Sequence, residues 1–281
     1  MKTIAVLTDF SENSTHATRA ALHMAKKMKA KVLLFSISAV PSLMKRVPAG
    51  EQDLAAEQEP ILSCFARRME QELLTNTFPG SFLPEVEFDN DSTEPVDIMT
   101  SIMRNEEISL IVTAPDGEND LATFILSDAC SRIIDWATVP VLVVPEFARL
   151  RNYEKIAFAS QLHEEDINSI AELGSLLESF APELMIAHLN SNPLNTDIQK
   201  AEESLHRDLY KKLDCGGVYF RSIPDTDMQK NWDWLKVNKR TDLLAIVQQP
   251  REQMARFFKR GQNKVVTHHL TLPVMILPKR P

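Results

Sequence analysis

Residues 3–10 read TIAVLTDF, an apolar run that breaks at Thr8-Asp9-Phe10, and residues 31–37 read KVLLFSI, a second run of the same kind. Neither alternates polar with apolar, and nor do LIVT at 110–113 or VLVV at 141–144. Continuous apolar strands are covered on both faces. Between the first two lies a segment, 13–28, in which Ala17, Ala21, Met24 and Met28 recur at helical spacing. Ser11 or Asn13 can cap its start, and Lys26, Lys27 and Lys29 crowd its last turn, where the helix dipole favours cations. Strands buried on both faces, alternating with amphipathic helices, predict an α/β fold: an open parallel sheet with helices on both sides.

The pattern occurs twice. Residues 153–160 (YEKIAFAS) open as 3–10 do, 108–114 (ISLIVTA) have a counterpart in 241–247 (TDLLAIV), and each half closes on an apolar strand between prolines, PVLVVP at 140–145 and PVMILP at 273–278. The chain therefore reads as two diverged modules, 1–147 and 151–281, joined by the short polar stretch 146–153 (EFARLRNY). In the first, strands at 3–8, 31–37, 84–88, 108–113 and 140–144 alternate with helices at 13–28, 58–76, 95–105 and 121–137. In the second, strands at 154–159, 183–189, 217–222, 241–247 and 273–277 alternate with helices at 163–180, 196–213, 228–237 and 252–269. Residues 38–57 read as a long loop.

Composition narrows the function classes. The 281 residues carry 31 Lys and Arg against 39 Asp and Glu, a net charge of −8, which argues against a general nucleic-acid or anionic-membrane binder. No apolar run approaches the roughly 18 residues of a membrane span. Cys64, Cys130 and Cys215 stand far apart, which fits a reducing cytoplasm and offers no zinc motif. Seven glycines amount to about 2.5%, against a usual value near 7%.

The opening strand with Thr8-Asp9-Phe10-Ser11, the alanine-rich helix, AKVLLFSI at 30–37 and the closing VPVLVVP at 139–145 together resemble the universal stress protein family, in a tandem two-module form. The resemblance implies a Rossmann-like, five-stranded parallel sheet in each module, with strand order 3-2-1-4-5. It also implies a cytoplasmic stress-response role and association of modules through their last strands.

Many members of that family bind ATP through a loop after the fourth strand, Gly-x2-Gly-x9-Gly-Ser/Thr, whose small residues let backbone N–H groups approach the phosphates at a helix N-terminus. Counting back from Pro140 puts Ser127-Asp128 at the Gly-Ser pair and Gly117, ten residues earlier, at the glycine before it, with Asp120 inside the intervening stretch. Two glycines are lost, and the added carboxylates Asp120 and Asp128 repel a triphosphate. Counting back from Pro273 puts Arg260-Gly261 at the pair and Pro250 ten residues earlier, with Gln253 inside the intervening stretch and no required glycine in place. The nucleotide-contacting aspartate of the first strand is Asp9 here, with its second-module counterpart near Ser160. The resemblance thus implies a regulatory or interaction protein without the usual ATP-binding loop, and not an enzyme. A hydrolase or ligase on this fold would need a glycine-rich pyrophosphate loop, and TDFSENS at 8–14 has no glycine. No cofactor is expected. The alternative is adenine-nucleotide binding, ATP or AMP, at a degenerate first-module site of Asp9, Gly117 and Ser127.

Other clusters read as structural. Asp116, Glu118 and Asp120 in PDGEND lack the closing glutamate of a calcium loop, so no metal site is expected. Arg256, Arg260 and Lys264 stand four apart, as a basic stripe on a helix would, opposite Met254, Phe258 and Val265. The partner is an unidentified protein or small ligand. The apolar last strands predict an intramolecular pseudo-dimer of the two modules and leave room for a further homodimer.

Overall fold

A computed structural model describes residues 1–37, 52–89, 95–115, 124–125, 127–150, 152–160, 162, 165–190, 200, 203–205, 207–208, 217–224, 241–250, 252, 259–260, 264–265 and 272–279. The chain divides into two compact units, Met1–Glu118 with Trp136–Glu146 and Asn119–Asp135 with Phe147–Pro281.

The first unit carries β1 (Thr3–Thr8), α1 (Glu12–Met28), β2 (Lys31–Ser36), α2 (Gln52–Thr75), β3 (Val86–Asp89), α3 (Pro95–Arg104), β4 (Ile108–Thr113) and β5 (Val141–Val143). Its strands lie in the order β3-β2-β1-β4-β5, and every pair is parallel. This is the order that the resemblance implied. β1 is buried along its whole length, as an apolar strand in the middle of a parallel sheet must be. α1 lays Ala17, Ala21 and Met24 against the sheet without exposure. Its N-cap is Ser11, whose hydroxyl accepts from the Ser14 N–H, and its C-cap is Lys29, left-handed at φ 52°.

The second unit carries α4 (Asp128–Trp136, less its last residue), β6 (Lys155–Ser160), α5 (Glu165–Leu176), β7 (Glu183–Asn190), β8 (Val218–Pro224), β9 (Leu243–Val247), β10 (Lys259–Arg260), β11 (Lys264–Val265) and β12 (Val274–Leu277). Its parallel strands run β8-β7-β6-β9-β12, so strand order 3-2-1-4-5 recurs when the half is counted by itself. Among the described residues, Phe158 on β6 and Phe35 on β2 are the largest fully buried side chains of their units.

The structure departs from expectation in three places. Of the helix expected over 121–137, Phe124 and Ile125 are helical, Ser127 is not, and α4 begins at Asp128. α2 begins at Gln52, inside the expected loop 38–57, whose other residues lie outside the described set. The helix expected over 252–269 is helical at Glu252 but contradicted at 259–260 and 264–265. Lys259 pairs with Val265 and Arg260 with Lys264 in an antiparallel ladder. The basic stripe Arg256, Arg260 and Lys264 is therefore not one helix face. The sequence between the two strands, Gly261-Gln262-Asn263, is rich in turn formers, and three-residue hairpin loops that contain glycine are common. The helices expected at 228–237 and, for the most part, 196–213 lie outside the described residues, as do Trp232, Trp234, His268 and His269.

Candidate functional site at the carboxyl end of the first strand

In a parallel α/β sheet, ligands bind beyond the carboxyl ends of the strands where the order reverses. In the first unit that point lies between β1 and β4. β1 ends at Thr8, and the chain turns sharply through Asp9 and Phe10 into α1. Phe10 is left-handed at φ 63°, a conformation that costs a non-glycine residue about 1 kcal/mol or more. Two contacts hold it there. Its N–H donates to Thr8 Oγ1 at 3.0 Å, and its ring meets Phe65 edge-on with centroids 5.4 Å apart.

Asp9 is engaged within this turn. Its Oδ1 accepts from the Ser11 hydroxyl at 2.6 Å and from the Ser11 N–H at 3.0 Å. Burial alone would raise its carboxyl pKa, but hydrogen bonds from Ser11, Ser14 and the backbone outweigh it and hold Asp9 below its ordinary value. Asn13, one residue into α1, donates to the Pro115 carbonyl at 3.2 Å and so ties the helix to the chain leaving β4. Near the same strand ends, Ser36 Oγ and Thr113 Oγ1 are buried with no hydrogen-bond partner among the described residues. Ser36 pairs with Thr8 across β1 and β2.

Ser127 is part of the second unit as divided above. Its hydroxyl accepts from the Cys130 N–H at 3.2 Å, the bond of an N-cap to α4. Gly117 lies outside the described residues, as do Asp116, Glu118 and Asp120. Asp9 and Ser127 are thus each held by a local turn or cap.

The second unit repeats the turn with different chemistry. Leu162 is left-handed at φ 61°, and its N–H donates to Ser160 Oγ at 2.9 Å. The Ser160 hydroxyl donates to Asp166 Oδ2 at 2.6 Å, in a buried contact. In the first unit Thr8 receives Phe10 N–H two residues on and meets Ser14 Oγ six residues on, at 3.0 Å. Ser160 is therefore the counterpart of Thr8, and Gln161 falls at the place of Asp9. This refines the expectation of a counterpart near Ser160: the residue aligned with the aspartate is an amide. The signal was present in the sequence, since TIAVLTDF set over KIAFASQL at 155–162 aligns both turns without a gap. His188 on β7 adds a contact from its Nδ1 to the Ser160 carbonyl at 3.1 Å; a carbonyl only accepts, so that nitrogen carries the proton.

The profile of the universal stress protein family matches residues 1–145, just over half of the chain. The chain belongs to the universal stress protein family. Solved structures carry the fold across both halves. A universal stress protein from Archaeoglobus fulgidus DSM 4304 is 13% identical with a TM-score of 0.67, over 99% of this chain and 96% of its own. A protein from Pseudomonas aeruginosa UCBPP-PA14 named for the same family is 13% identical with a TM-score of 0.56, over 99% and 93%. The cytoplasmic domain of a prokaryotic cation chloride cotransporter shares the fold at 10% identity and a TM-score of 0.56, over 99% and 96%. At these identities the likeness concerns fold alone. No curated protein sequence matches the chain. Among the described residues of this universal stress protein, no helix is long and apolar enough to cross a membrane, and no group of three or more His, Cys, Asp or Glu could hold a metal ion.

Proposed function

We propose that this universal stress protein is a cytoplasmic regulatory or interaction protein that works without the family's ATP-binding loop and without catalysing a reaction. The observation that carries this reading is the engagement of Asp9. The residue best placed to meet a nucleotide already accepts two hydrogen bonds on one oxygen from Ser11. A ligand would have to compete with a local turn that also caps α1. Ser127 is likewise occupied as an N-cap, and the second module places Gln161 where the first has Asp9. The loss of two loop glycines and the carboxylates Asp120 and Asp128 in that stretch of sequence point the same way. The test is mass spectrometry of the purified protein after denaturation. No adenine nucleotide should be released, and a stoichiometric one would reject the reading.

One observation favours a second reading, adenine-nucleotide binding in the first module. Ser36 and Thr113 bring buried hydroxyls, without a partner among the described residues, to the carboxyl ends of β2 and β4, on either side of β1. Buried polar atoms without partners are uncommon and suit a site that a polar ligand completes. If this reading holds, Asp9→Ala weakens the nucleotide and Ser160→Ala leaves it unchanged. Equal effects would remove the asymmetry between the modules on which it depends.

A further inference from the structure

A cavity of about 810 Å³ opens beyond the carboxyl ends of β9 and β12, and its lining among the described residues belongs to the second unit. It is one strand removed from the β6/β9 reversal of that unit, and Pro250, at a glycine position of the lost second-module loop, is part of its lining. Its volume falls within the usual range for small-molecule sites. Ile125, Ile134 and Pro250 supply an apolar wall, and both isoleucines are buried.

Four ionised groups line the rest: Arg132 and Lys279 are positive, Asp128 and Asp135 negative, and their formal charges cancel. The Arg132 Nε donates to the Asp128 carbonyl at 3.3 Å, which orients the guanidinium. Its terminal nitrogens have no protein partner among the described residues. Asp135 receives the Gln248 side-chain amide on one oxygen at 3.1 Å, and its second oxygen has no partner among the described residues. Lys279 lies 3.6 Å from Glu165, which partly neutralises it.

This combination selects a ligand class. A phosphate ester would bring up to two negative charges beside two carboxylates and be repelled. A cation alone would face Arg132. A molecule with one carboxylate, one ammonium and an apolar body meets every group. The guanidinium fork suits a carboxylate in bidentate geometry, the spare Asp135 oxygen accepts from an ammonium, and the isoleucine wall takes an aliphatic side chain. We infer that this cavity is a binding site for a free α-amino acid with an apolar side chain.

The test is isothermal titration of the full chain with L-leucine, 4-methylpentanoate (which lacks the ammonium), 3-methylbutylamine (which lacks the carboxylate) and ATP. L-Leucine should bind with a Kd below about 1 mM, and both single-charge analogues at least about tenfold more weakly. Arg132→Gln and Asp135→Asn should each weaken leucine by about tenfold or more. Both residues are exposed, so the variants should fold; if either does not, the analogue comparison decides. The inference is overturned if leucine gives no binding at about 10 mM, if either analogue matches leucine, if the folded variants bind as the parent does, or if ATP displaces leucine. The outcome is independent of the Asp9 crevice, because neither variant touches it.

Discussion

Asp9 marks the residue scale, where one carboxylate can serve a ligand or a turn. As a turn residue it should matter to stability without any ligand present. Asp9→Ala removes two hydrogen bonds from a half-exposed group, and an effect of about 1 kcal/mol is expected once solvent screening is allowed for. The sign with pH is fixed. A carboxyl held below its ordinary 3.8 stabilises the fold above that value and loses the effect as pH falls through the folded value. Urea titrations of parent and variant should therefore differ at pH 7 and converge once the pH has fallen through the folded value, which lies under 3.8. An unchanged difference across that range would refute the ionic role. In the second module the corresponding test is Ser160→Ala. It removes the 2.6 Å donor from buried Asp166 and the acceptor of Leu162 N–H, so it should cost about 1–3 kcal/mol in the same assay. A cost below about 0.5 kcal/mol would show that Asp166 does not depend on it.

At the scale of elements, strands were legible where their apolar runs are continuous. TIAVLT, KVLLFS and ISLIVT have no other stable home than the middle of a parallel sheet, and all three lie there. α1 was legible because its small-residue stripe and its cap agree. Residues 259–260 and 264–265 were misread as helix because Arg256, Arg260 and Lys264 fit a helical period by charge, whereas the sequence Gly261-Gln262-Asn263 between them carries turn formers. The site was only half legible. Asp9 was found from its place at the strand end, but its engagement by Ser11 depends on a left-handed Phe10 that no sequence rule assigns to phenylalanine. Helix ends carry a further prediction. Lys29 closes α1 in a left-handed conformation while exposed to solvent. Lys29→Gly should raise stability by about 0.5–1 kcal/mol in chemical denaturation, since glycine adopts this conformation without steric cost. A loss of stability would mean that the lysine side chain contributes more than its backbone costs.

At the scale of the whole molecule, two modules of one plan have diverged in opposite chemical directions at the same turn: Thr8, Asp9 and Ser14 in the first, Ser160, Gln161 and Asp166 in the second. We propose that the modules pair through their last strands, because Val141–Val144 and Val274–Leu277 are wholly apolar and carry none of the charges that protect an exposed edge. Residues 1–147 expressed alone should then dimerise or aggregate in sedimentation, and a stable monomer would contradict the pairing. The central claim remains that this universal stress protein does not use ATP as its ligand. Isothermal titration of the intact chain with ATP tests it most directly. The account predicts a Kd no tighter than about 100 μM, roughly −5.5 kcal/mol, and saturable binding at low micromolar ATP would contradict it.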